Sequence, residues 1–125
     1  MLSQNTVVAA VREVLESTYT GTCDIVEQQK VAKENKSTGF EEITVLEKQP
    51  CKLSFSTIKS SAPGETAASI AQITKLFIAP EINVRPGSKL TVTQNGTTAE
   101  YTRSGKAAVY NTHQEIVLEL FQGWT

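Results

Sequence analysis

The chain has 125 residues, of which 39% are hydrophobic and 20% charged, with a formal net charge of −1. This length fits one domain that buries roughly two-thirds of its unfolded surface, so the core needs no disulfide or metal staple. Charges of both signs are scattered, so no basic field draws a nucleic-acid backbone, and DNA binding is not expected as the main activity.

Cys23 and Cys51 stand 28 positions apart without CxxC spacing, and His113 is the sole histidine. A four-ligand zinc site cannot be assembled from that set. Both cysteines fall on strand-like runs and read as buried, reduced small side chains, with a disulfide as the alternative. There is no signal-peptide pattern and no apolar run of about 18 residues, which predicts a soluble chain made in the cytoplasm without membrane contact.

Residues 3–17 read as the one helix. Val7, Val11, Val14 and Leu15 form a single apolar stripe, and Ser3 or Asn5 can accept a hydrogen bond from a free N–H at its start. A helix this short is unstable alone, so its stripe is expected to dock on the β core. Residues 22–31 read as a strand with Cys23 and Ile25 inward. Residues 32–41 hold too few apolar side chains to pack and are expected to project as a polar loop.

A second strand covers 42–49, and Pro50 is expected to end it. CKLSFST follows, with Cys51, Leu53 and Phe55 on one face and Lys52, Ser54 and Ser56 on the other, the alternation of a half-buried antiparallel strand. Residues 57–68, centred on Pro63-Gly64, form the second long loop. The run 69–79 is compatible with helix at its start, but its β-branched residues favour strand. Pro86-Gly87 marks a turn, and Asn95-Gly96 between LTVTQ and TTAEY is a strong hairpin signal. Residues 114–121 close the pattern, Ile116, Leu118 and Leu120 facing one way and Val117 and Phe121 the other. Such a strand needs covering on both faces, and the N-terminal helix is the natural cover. The fold class is therefore mainly β: a small antiparallel β-barrel or sandwich of about seven strands, one N-terminal helix and two long loops, in a single domain over 1–125.

Motifs for chemistry are missing from the sequence. GxSxG, GxGxxG and GxxxxGK do not occur, and His113 reads as a turn or interface histidine rather than a catalytic base. Glu41, Glu42 and Glu47 read as solvated. Phe55, Phe77 and Tyr101 fall where core residues belong, which disfavours a binding module with surface aromatics. Trp124 is either an anchor for a partner or a side chain tucked onto its own barrel. The expectation is a non-enzymatic chain without cofactor or metal that binds through projections.

The helix, EITVLEKQPCKLSFST, IAQITKLFIAPEINVRPGSKLTV, the Asn95-Gly96 hairpin and HQEIVLELFQGW together resemble small head–tail joining (head-closure, connector) proteins of tailed phages, prophages and contractile phage-tail-like particles of Gram-positive bacteria. The likeness covers about residues 22 to 124. It implies a β-barrel that assembles as a homo-oligomeric ring, hexamer or dodecamer, within the virion or tail-like particle. Such a ring sits below portal or adaptor proteins, closes the channel and docks tail-terminator or tail proteins. Lys33, Lys36 and Phe40 in the first loop, Ser61, Pro63 and Glu65 in the second, and Phe121 and Trp124 at the end are the candidate subunit contacts. DNA contact is assigned to no residue. A tail-terminator or tail-completion protein, and a small-barrel module for peptide or oligonucleotide, are the alternatives.

Overall fold

The computed structural model describes residues 4–32, 38–60 and 69–124. Helix α1 spans Gln4–Glu16. The strands are β1 (Gly21–Ala32), β2 (Thr38–Ser60), β3 (Ser69–Ile78), β4 (Lys89–Gln94), β5 (Thr97–Arg103), β6 (Ala108–Val109) and β7 (Gln114–Leu120). The sheet runs β3-β2-β1-β4-β5-β7-β6, every pairing is antiparallel, and a further β3–β7 pairing closes it into a small barrel. Closure leaves the barrel proper without free edges, and β6 sits on the rim of β7.

Alternation builds the core. Cys23 and Ile25 on β1, Leu76 and Ile78 on β3, Leu90 and Val92 on β4, and Ile116 and Leu118 on β7 all point inward and are buried. Tyr101 joins them from β5. Both cysteines are fully buried, as the strand-like runs around them imply, and of the two alternatives the structure has them free. A hydrogen bond to Cys51, together with burial, pushes the Cys23 thiol up and keeps it protonated. The turns follow their residues as well. Asn95 (φ 53°) and Gly96 (φ 75°) make the tight β4–β5 hairpin, and Gly87 (φ 86°) follows Pro86 in the turn before β4.

Strand β2 departs from the sequence reading. It runs unbroken through Pro50, which opposes Thr22 of β1 but lies just before the β2–β3 ladder begins at Cys51. On that side no partner strand loses a donor, so the proline is tolerated. Along β1, Cys23 opposes Gln49, Ile25 opposes Leu46, and Val26 opposes Thr44, so β2 carries two extra residues there. These bulges bend it sharply. At the first, Lys48 takes φ 51°, and its N–H donates to the Asp24 carboxylate at 2.8 Å. Both expected loops are consequently shorter than predicted, because β-ladders extend to Ala32 and Thr38 and to Ser60 and Ser69. The remaining loop residues lie outside those described.

The helix is the second correction. It does not cover the sheet with its valine stripe: Val7, Val11 and Val14 are 46%, 45% and 68% exposed. The face at Val8, Arg12 and Leu15 is the half-buried one. Arg12 pairs with Glu16 at 3.3 Å and reaches Glu81 in the β3–β4 connection at 2.8 Å. That guanidinium holds the Glu81 carboxyl below its usual range. With the helix elsewhere, Val117 stays partly exposed on the outer face of β7.

Where β1 begins, at Gly21, β2 would lose its neighbour. The Gln94 side chain takes that place, accepting from Leu53 N–H at 2.8 Å and donating to Leu53 C=O at 3.3 Å. Gly21 leaves room for this: a Cβ there would lie 3.1 Å from Gln94 Oε1 and 3.2 Å from the Cys51 carbonyl. Gln94→Ala should therefore cost about 1–3 kcal/mol in urea melts, because it strands a part-buried backbone donor. Gly21→Ala should destabilise as well, and by less in the Gln94→Ala background, since the two changes remove one arrangement.

Candidate interaction surfaces

Both ends of β2 overrun the barrel. Beyond the last β1–β4 pair, Val26 with Lys89, β1 and β2 continue alone for six residue pairs, from Glu27 opposite Ile43 to Ala32 opposite Thr38. This ribbon is the first arm. Beyond Thr74 opposite Leu118, β2 and β3 likewise continue to Ser60 opposite Ser69 as a second arm. Of the expected contact residues, Phe40 lies on the first arm, opposite Lys30, and is 68% exposed. Lys33, Lys36, Ser61, Pro63 and Glu65 fall outside the described residues.

Phe55 was expected in the core beside Cys51 and Leu53. It keeps their face of β2, but β1 starts only at Gly21, opposite Cys51, and among the described residues no strand flanks β2 on that side at Phe55, which is 54% exposed. Leu120, expected inward with Ile116 and Leu118, is 63% exposed because β3 accompanies β7 only as far as Leu118. Phe77 points outward and stacks on His113 (5.9 Å), which stacks on Tyr110 (4.9 Å). His113 also meets Thr112 Oγ1 at 3.0 Å and Glu115 Oε2 at 2.9 Å. Those contacts, first the imidazole and then Lys75, hold the Glu115 carboxyl below its usual range. Thr112 and His113 are chain neighbours locked in a turn, so this row serves as a surface fastening.

The C-terminal segment is clasped to the base of the first arm. The Trp124 indole N–H donates to Glu42 Oε1 at 2.7 Å, and its ring meets Phe121 edge-on at 5.0 Å. Lys89 Nζ lies over both rings, at 5.6 and 5.9 Å, and pairs with Glu42 and Glu100 at 3.4 Å each. Phe121 N–H donates to the Glu100 carbonyl at 3.1 Å. Phe121 and Trp124, both expected contacts, are thus brought together, half-buried on their own barrel. Lys89 and Glu42 were not foreseen as partners. They are 47 positions apart and carry no motif; the intervening β1 sets them near each other. Between the clasp, the arm base and the Arg85–Ser88 turn lies an open groove of about 750 Å³. Among the described residues, no three of His, Cys, Asp and Glu gather as a metal site.

No family model matches this chain, and no curated protein matches it. Among solved structures it is similar to the phage-like element PBSX protein xkdH from Bacillus subtilis, at 12% identity and a TM-score of 0.48, covering 79% of this chain and 91% of that one.

The clasp is pH-dependent in a definite direction. The Trp124 hydrogen bond, and then Lys89, hold the Glu42 carboxyl below its usual value of 4.5. A depressed carboxylate stabilises the folded form above its unfolded pKa, and that contribution fades as pH falls through the folded value. Fluorescence of Trp124, the sole tryptophan, should therefore report release of the clasp as pH is lowered below about 4.5, with little change from pH 6 to 8. In Glu42→Ala the released signal should already be present at pH 7.

Proposed function

We propose that this chain is a structural protein of a phage or phage-like particle, a subunit of the ring at the head–tail or collar junction that closes the portal channel and docks the tail. One observation carries the assembly part of this reading: a closed barrel leaves projecting and apolar surfaces unpartnered on several sides. Two arms project past the barrel, and the Val7, Val11 and Val14 stripe faces solvent. Different surfaces on one copy suit a heterologous contact, which closes into a ring when the rotation permits. The resemblance in sequence supports the phage setting and its neighbours, portal or adaptor proteins on one side and tail proteins on the other. Tail terminator or tail completion would use the same surfaces at a different height in the particle.

A second reading has its own observation. Phe55 and Tyr110 are exposed, and Tyr110 ends a row of three stacked rings. This removes the objection that the aromatics are all core, and it favours a small-barrel module on which a peptide or oligonucleotide stacks.

Electron microscopy of the native particle separates the two. A closed ring of this chain at the head–tail or collar boundary is the expected result. A chain found outside the particle, monomeric, and binding oligonucleotides in a salt-dependent way would move the module reading to first place. Val11→Asp provides a sharper check: as an exposed change, it should alter stability by no more than about 0.5 kcal/mol. Incorporation into the particle, measured by quantitative immunoblotting, should nevertheless fall at least several-fold.

A further inference from the structure

The first arm has a structural requirement that the chain does not meet by itself. Over its six residue pairs, among the described residues, no strand pairs with the outer edge of β1 beyond Val26 or with the outer edge of β2 before Cys51. A two-stranded ribbon without a third strand is marginal in water, and each bare edge presents a row of backbone donors and acceptors. Natural edges are blocked by proline, by bulges or by charged side chains. On β2 the proline and the bulges are confined to the barrel side, where the bulges fall between Thr44 and Gln49 and Pro50 follows. The segments 27–32 and 38–43 carry neither, and their charged residues are Glu27, Lys30, Glu41 and Glu42. The base of the same ribbon is held on both strands: Asp24 of β1 fixes Lys48 of β2, and Lys89 with Trp124 holds Glu42. The arm therefore leaves the barrel in a set direction, which lowers the ordering cost of docking it.

We infer that the first arms of neighbouring copies pair edge to edge, the β2 edge (38–43) of one copy running antiparallel to the β1 edge (27–32) of the next. This deepens the ring reading and rests on it. The occupant follows from the ribbon itself. Its two edges run in opposite directions, so a rotated copy presents a β1 edge antiparallel to the first copy's β2 edge, and each copy satisfies one neighbour on each side. Charge permits this pairing. When neighbouring copies stand at equal height, intermolecular opposites repeat the register within the arm: Gln28 meets Glu42, Gln29 meets Glu41 and Lys30 meets Phe40. No like charges then stand directly opposite each other; Lys30 falls diagonal to the neighbour's Glu42 and Glu27 diagonal to its Glu41, so the two diagonals offset. The result is a continuous antiparallel wall made from arms, in which Phe40 of every copy lies beside its neighbour's β1.

Two singly substituted full-length chains test this: Gln29→Cys and Glu41→Cys. Within one copy, neither gains a nearby partner thiol, because Cys23 and Cys51 are fully buried. The two are co-expressed in the particle-producing host, the particles are purified and treated with a mild copper–phenanthroline oxidant, and the ring is checked by electron microscopy. A covalent hybrid dimer in the mixture, absent when either chain is present alone, is the expected result. A ring containing both chains but yielding no hybrid dimer overturns the arm pairing and leaves the ring reading standing. Dimers from Gln29→Cys alone mean that like edges meet, which also overturns it. If neither chain forms a ring and wild type does not either, the ring reading fails together with this one. Wild-type particles supply a second measurement: amide exchange at 27–32 and 38–43 should slow at least tenfold in the particle relative to the free chain. Equal exchange in the two states contradicts the pairing.

Discussion

The pairing of β3 with β7 is the constraint on which the rest of the structure depends. It closes the sheet, and closure fixes how much of each strand lies inside the barrel. Strands β4, β5 and β7 are short enough to be used up by it, whereas β2, at 23 residues, is not. Its surplus emerges at both ends as arms. The two extra residues against β1 and the left-handed Lys48 are how one strand serves the barrel and an arm in two directions. The same closure explains Gln94, whose amide continues the sheet where β1 has not yet begun.

Closure also decides which apolar residues remain outside. Phe55 and Leu120 lie on the inward face of their strands but beyond the point where a full circle of strands surrounds them. They are exposed although they follow the core pattern. The helix is a separate matter. It is anchored through the Arg12–Glu81 pair and a half-buried face at Val8 and Leu15, which leaves the more regular valine stripe outward. An apolar stripe on a helix identifies a surface that needs covering, and nothing in its periodicity says whether the cover belongs to the same chain.

The clasp and the arm are linked through Glu42. Its carboxylate receives the Trp124 indole and faces Lys89, while its backbone belongs to the arm ladder opposite Gln28. The C-terminal segment is therefore fastened to the base of the first arm. The clasp and the arm thus share one residue, through its side chain and its backbone respectively.

By itself, the sequence determined the period-two alternation of the strands, the Asn95-Gly96 hairpin, the Pro86-Gly87 turn, the inward position of the two cysteines and the presence of one amphipathic helix. These depend on local backbone preference and on which side of a strand or helix a residue takes. Tertiary structure alone decided where along β2 the barrel ends, which face of α1 turns inward, that Pro50 interrupts nothing, and that Glu42, Lys89 and Trp124 meet. Each of these depends on which strand lies beside which, and at what register. Periodicity assigns a residue to a face, but only closure of the sheet decides whether that face is covered at the residue's own height.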